Sequence, residues 1–169
     1  AALLIWQRGD VILFDSLAQQ YVTGLESYGL LALPLFILLL LPGSFVFFVG
    51  SLLLLGVASV WFCGRAELIL GQRDPGSIVI DEIVAVPLCF AGWVSSLYFT
   101  NGTMPEWRFF FGETTWHWSV AIVLLFRFFD IAKPWPIGPS QAFPGGWGVT
   151  IDDLLAALYV NLITLFFLA

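Results

Sequence analysis

Polar positions are few along this chain and gather in a handful of places, with long apolar runs between them. Over residues 1–27, apolar positions at helical spacing (Leu13, Leu17, Tyr21) are mixed with Arg8, Asp10 and Asp15, which predicts an amphipathic helix lying in a membrane interface. "YGLLALPLFILLLL", residues 28–41, comes next and is closed by Pro42-Gly43. At about 1.5 Å per residue it falls short of a roughly 30 Å hydrocarbon core, so it reads as a first, short or tilted membrane helix. "SFVFFVGSLLLLGVASVWFC", residues 44–63, is long enough to cross and runs on through Arg65 and Glu67 to Gly71.

Asp74-Pro75 reads as an N-cap followed by proline at the first helical position, opening a third helix over 76–99 in which Pro87 is a candidate kink. Residues 100–115 read as a polar loop. A fourth helix runs from Trp116 to Asp130 and stops where Lys133-Pro134-Trp135-Pro136 forbids helix. "PSQAFPGGWGVT" reads as loop, with Thr150 an N-cap, Asp153 at the third position after it, and "IDDLLAALYVNLITLFFLA" the last helix. The prediction is an all-α, polytopic integral membrane bundle of four to five membrane helices. It forms one membrane-embedded domain over 1–169, with residues 1–27 the interfacial segment and 28–169 the bundle.

Composition agrees: 60% hydrophobic and 11% charged residues are far from soluble averages, and apolar runs along the whole length exclude a single cleaved leader as their cause. A net charge of −6 with only six Lys and Arg excludes nucleic acid as a partner. Cys63 and Cys89 lie in apolar runs without CxxC spacing and read as helix packing.

Alternating helix directions bring to one side the start of the first helix, the end of the second, the start of the third, the end of the fourth and the start of the fifth. Arg8, Arg65, Arg73, Arg127 and Lys133 fall there and Arg108 falls opposite, so the positive-inside rule predicts that this side is cytoplasmic. Asp74, Asp81, Glu82, Asp130, Asp152 and Asp153 fall on it as well.

Each acid has an ordinary reading to set beside a chemical one. Helix N-termini favour acids, but from a start at Pro75 the Asp81-Glu82 pair lies about two turns in, beyond the reach of the end charges. Thr150 with Asp153 makes a good capping box, which leaves Asp152 over. Asp130 sits in the last turn of its helix, where an acid is disfavoured unless a cation meets it, and Arg127 is three residues back on the same face. A structural ion pair explains that couple but not Lys133, held among prolines beside a glycine-rich loop.

The one histidine, His117, falls on the opposite side and reads as interfacial. Histidine, cysteine and aspartyl-phosphate nucleophile motifs are all missing. Carboxylates with Arg and Lys remain, the oxygen-rich set that suits Mg²⁺. Gly145, Gly146 and Gly148 before a helix start allow backbone N–H groups close to an anion.

"RDPGSIVIDEIV" (73–84), "FRFFDIAKPWPI" (126–137) and "GGWGVTIDDLLAA" (145–157), in this order, resemble the phosphatidylglycerophosphatase A family. These are Mg²⁺-dependent bacterial inner-membrane enzymes that hydrolyse phosphatidylglycerophosphate to phosphatidylglycerol and phosphate. The resemblance implies that Asp81, Glu82, Arg127, Asp130, Lys133, Asp152 and Asp153 form the polar cluster of the active site. On that reading the five carboxylates are the catalytic and Mg²⁺-holding set, with the general base left open among them. Arg127, Lys133, Gly145 and Gly146 are then expected to contact the phosphate of a phospholipid drawn from the bilayer.

Two alternatives stand beside it. One is a relative that keeps the fold without turnover; the other is a small ion or proton transporter, which needs polar groups spread through the bilayer depth rather than gathered on one face.

Overall fold

The computed structural model describes residues 25–73 and 78–168. The predicted interfacial helix therefore lies outside the described residues except for its last three positions, which already belong to the first described helix. The Asp74-Pro75 cap lies outside them too. Among the described residues the fold is all helical: α1 (Leu25–Leu40), α2 (Phe45–Leu70), α3 (Ile80–Cys89), α4 (Ala91–Asn101), α5 (Trp107–Phe110), α6 (Trp116–Ala132), α7 (Ile137–Ser140) and α8 (Gly146–Leu168). Among the described residues three stretches are long and apolar enough to cross a membrane, namely α2, α3 with α4 as one run, and α8.

α2 forms where the sequence supplies an apolar run with a stop at each end. Ser44, in extended conformation, accepts from the Phe47 N–H at its side chain (3.3 Å), and Gly71 closes the helix with φ 63° while donating to the Glu67 carbonyl at 2.9 Å. Its 26 residues extend about 39 Å, more than a bilayer core needs, so the segment with Arg65 and Glu67 reaches beyond it.

α8 is the central element, packed against α2, α3, α4, α6 and α7. Small residues allow the closest of these approaches. A Cβ on Gly146 would collide with the Val60 carbonyl oxygen and the Gly64 backbone, so only glycine lets α8 start against α2. One turn on, Thr150 is fully buried and its Oγ1 shares a 3.2 Å hydrogen bond with Ser59 Oγ. Thr150 is thus inside the helix and not its N-cap: the helix begins at Gly146, because a contact with α2 decides the boundary. This removes the capping explanation for Asp152 and Asp153, which lie about two turns into α8.

Predicted residues 76–99 are two helices, with α3 ending at Cys89 and α4 starting at Ala91. Pro87 supplies no N–H, and the helix breaks three residues on, at Phe90. Backbone groups freed inside a membrane need partners. Asn161 of α8 supplies them: its Oδ1 accepts from Gly92 N–H at 2.5 Å and its Nδ2 donates to the carbonyls of Leu88 and Ala157, both at 2.8 Å. A side chain at residue 92 would lie 2.7 Å from that Oδ1, so Gly92 is the partner the stitch requires.

The predicted polar loop 100–115 is corrected in its middle. α5 forms there and drives Phe110 into the core, where it meets Phe36 (centroids 5.1 Å), Phe90 (6.0 Å) and Trp93 (5.0 Å) edge to face. Each such pair adds about 0.5–1.5 kcal/mol to the burial itself.

Candidate active site

Three helix ends bring the chemistry together. α3 begins at Ile80, later than the sequence suggests, so Asp81 and Glu82 stand in its first turn. There their carboxylates face the positive end of the helix. Asp81 is 6% exposed and its Oδ1 has no hydrogen-bond partner. α8 contributes Asp152 and Asp153, each 3% exposed, and Asp153 Oδ2 is likewise buried without a partner. The charges of Asp81, Asp130, Asp152 and Glu82 all bear on Asp153, which places the five acids in one electrostatic field.

α6 contributes the cations. Arg127 Nη1 donates to Asp130 Oδ2 at 2.9 Å and to Glu82 Oε1 at 3.1 Å, so one nitrogen links the end of α6 to the start of α3. The predicted Arg127–Asp130 couple is therefore present, but as part of a three-residue bridge. Lys133 ends α6 with φ 43°, a left-handed cap that an ordinary side chain adopts at a cost of about 1 kcal/mol or more. Pro134 forbids further helix, and the ammonium reaches Asp152 Oδ2 at 2.7 Å.

Two participants carry no signal in sequence. Gln141 Nε2 donates to the same Asp152 Oδ2 at 2.9 Å, and the Asp153 N–H donates to Asp152 Oδ1 at 3.1 Å. A lone glutamine in a proline- and glycine-rich loop has no periodicity to mark it. Arg73, a topology marker in the sequence and the first residue of the 73–84 motif but not among the expected site residues, donates from Nη2 to the backbone carbonyls of Gln141 (2.7 Å) and Phe143 (3.1 Å). Gly146 packs against α2, as described above, and Gly145 is exposed with φ 57°.

Among the described residues no three His, Cys, Asp or Glu side chains are drawn close enough to form a ready-made metal cage. The donor set still fits a hard cation such as Mg²⁺, which takes one or two protein carboxylates and leaves its other positions to water and substrate phosphate. Asp81 Oδ1 and Asp153 Oδ2, buried and unanswered, are the oxygens such an ion would satisfy. A groove of about 770 Å³ runs beside the cluster between the end of α2 and residues 142–147, lined by Trp61, Arg65, Arg73 and Trp147 among others. None of the five acids lines it.

A family model described as Phosphatidylglycerophosphatase A matches residues 19–168. "Phosphatidylglycerophosphatase A" of Haemophilus influenzae is 36% identical over 120 residues, 70% of this chain and 61% of that protein. "Putative phosphatidylinositol-3-phosphatase" of Bacteroides thetaiotaomicron is 35% identical over 103 residues, 60% of this chain and 54% of that protein. "Phosphatidylglycerophosphatase A" of Escherichia coli is 30% identical over 107 residues, 62% and 52% of the two chains. The chain thus spans about half to three-fifths of the length of these curated relatives. No solved structure matches it.

Proposed function

Because the chain belongs to the phosphatidylglycerophosphatase A family, we propose that it hydrolyses the phosphate monoester of phosphatidylglycerophosphate, with Mg²⁺, at the cytoplasmic face of a bacterial inner membrane. The observation that carries this reading is a set of buried carboxylate oxygens, Asp81 Oδ1 and Asp153 Oδ2 among them, that have no hydrogen-bond partner and are flanked by Arg127 and Lys133 at one end of an apolar bundle. A lipid headgroup reaches such a place while its acyl chains stay in the bilayer.

In the reaction a water oxygen bonds to phosphorus, the bond from phosphorus to the glycerol oxygen breaks, and that oxygen leaves with a proton as phosphatidylglycerol. Asp81 and Asp153, helped by Glu82, Asp130 and Asp152, would hold the ion. Bound there, Mg²⁺ supplies positive charge to the phosphate and makes water more acidic. Lys133 meets Asp152 at 2.7 Å, and its ammonium brings positive charge to the place where a phosphate oxygen would sit. Arg127 offers a planar fork to the phosphate while it holds the ends of α6 and α3 together. A carboxylate of the same cluster accepts the proton from the attacking water. Gly145 and Gly146, at the start of α8, lie where the N-terminal end of a helix favours an anion.

The transporter alternative loses support from the placement of charge. The seven cluster residues lie within about two turns of three helix ends, and the polar groups deeper in the bundle, such as Asn161 and Ser59, are spent on helix contacts.

The test is phosphate release by the purified protein from phosphatidylglycerophosphate, with phosphatidylinositol 3-phosphate in parallel, each with Mg²⁺ and with chelator. Release from phosphatidylglycerophosphate that the chelator stops is expected; no release with Mg²⁺ present would sink the reading. For orientation, Ala142→Cys should be labelled from the cytoplasmic side and Thr103→Cys from outside, and the reverse result would invert the topology.

A further inference from the structure

Asp152 is the most firmly held acid of the cluster. Its Oδ2 accepts from Lys133 and Gln141, and its Oδ1 accepts from the Asp153 N–H. The Gln141 contact depends on a segment between α7 and α8 whose N–H groups, from Gln141, Ala142 and Phe143, are tied by turn hydrogen bonds to Gly138 (3.3 Å), Pro139 (3.1 Å) and Ser140 (3.1 Å). Its outward carbonyls are held from two further sides. On one side α8 presses close at Gly148, where a Cβ would lie 2.5 Å from the Phe143 carbonyl oxygen and 2.8 Å from that of Gln141. On the other, the Arg73 guanidinium donates to the same two carbonyls, at 3.1 and 2.7 Å. Hydrogen bonds from a cation are roughly twice as strong as neutral ones. Arg73 lies just past the cap of α2, is exposed, and lines the outer groove rather than the carboxylate cluster.

We infer that Arg73 is a positioning residue for the site: it clamps the Gln141 and Phe143 carbonyls against α8, and so holds the Gln141 amide on Asp152. The backbone between Arg73 and α8 is the transmitting element. Without the cation, two carbonyls pointing outward have water as their alternative partner, the segment moves away from α8, and Asp152 loses one of its two Oδ2 donors.

The effect on turnover rests on the phosphatase reading; the effect on the segment does not. Groups that orient a metal-holding carboxylate change metal affinity or activity by about 10- to 100-fold when removed. With Mg²⁺ and phosphatidylglycerophosphate, Arg73→Ala and Gln141→Ala are each expected to lower kcat/KM by about that factor, and the double variant no further than the worse single one. Losses that multiply in the double variant would overturn the inference, because Arg73 would then act independently of Gln141. Arg73→Lys, which keeps a donating cation, should fall between Arg73→Ala and the unchanged protein; a result equal to alanine would overturn it as well. The second arm needs no substrate: in Arg73→Ala, amide hydrogen exchange over 141–149 should accelerate while α6 is unaffected. Unchanged exchange over 141–149 would overturn the clamp. If the unchanged protein releases no phosphate but the exchange result appears, the phosphatase reading fails and the clamp stands.

Discussion

The two acid pairs of the cluster divide in the same way. In Asp81-Glu82 the second member meets Arg127 at 3.1 Å, and in Asp152-Asp153 the first meets Lys133 at 2.7 Å. The other members, Asp81 and Asp153, meet no cation among the described residues and bury an oxygen without a hydrogen-bond partner; Glu82 also buries its Oε2, so the cation is what separates the halves. Adjacent residues on a helix point about 100° apart, so a pair of consecutive acids must face two environments. One half of each pair is neutralised and ties helices together; the other is held against an electrostatic penalty that folding alone does not explain. The paired half therefore serves the framework as well as the site, and the open half reads as chemistry alone.

The largest effect expected from this division is on the open half. Asp81→Asn and Asp153→Asn should each lower turnover by roughly 10³-fold, the scale seen when a group that stabilises transition-state charge is removed. Both should also raise the thermal midpoint, because an amide costs less to bury than a carboxylate with an unanswered oxygen. Glu82→Gln and Asp152→Asn should do the opposite to stability, since each takes a carboxylate from a half-buried cation, although Arg127 keeps Asp130. Arg127 and Lys133 side chains are 20% and 29% exposed, so the cost is nearer about 1–2 kcal/mol than the 3–5 of a sealed pair. Thermal melts of the four proteins decide it: the same sign of shift for both halves would end the comparison.

The bridge at Arg127 gives the next effect. Asp130→Asn should lower turnover by about 10²-fold and weaken its dependence on Mg²⁺, because an amide is a poorer ligand for a hard cation. A plain Arg127–Asp130 pair would be restored by exchanging the two residues. Here it should not be, because Arg127→Asp would place a carboxylate against Glu82, which the native guanidinium also binds. Recovery of activity and stability in the Arg127→Asp, Asp130→Arg double variant would show the Glu82 contact to be dispensable and return Asp130 to a structural role.

The membrane helices were legible because their signals are local. Ser44 and Gly71 mark the ends of α2 as capping residues do anywhere, and the charged ends of α3, α6 and α8 follow from helix order alone. What was not legible depends on contacts distant in sequence. Thr150 looks like an N-cap until Gly146 is seen against Val60 and Gly64, and residues 100–115 look like plain loop until Phe110 is seen between Phe36 and Trp93. The seven cluster residues could be named from sequence, but which acid of each pair meets a cation could not. That choice is set by the rotation of α3 and α8 about their axes, to which adjacent acids give no clue. Gln141 and Arg73 escaped for the same reason: one acts from an irregular loop, the other on backbone atoms.

Lys133 gives the smallest effect and the finest test, because it joins backbone strain to the paired half of the cluster. Lys133→Ala should lower kcat/KM by about 10-fold through weaker handling of the phosphate, and excess Mg²⁺ should not restore it, since the lost group is a cation and not a ligand. Lys133→Gly removes the same ammonium but suits the left-handed φ of 43° that alanine resists. The two variants should therefore share one loss of activity yet differ in stability by about 1 kcal/mol, glycine being the more stable. If glycine instead matched the native protein in turnover, the backbone turn at the end of α6, and not the charge, would be what this position contributes. The 2.7 Å contact with Asp152 would then be incidental to catalysis.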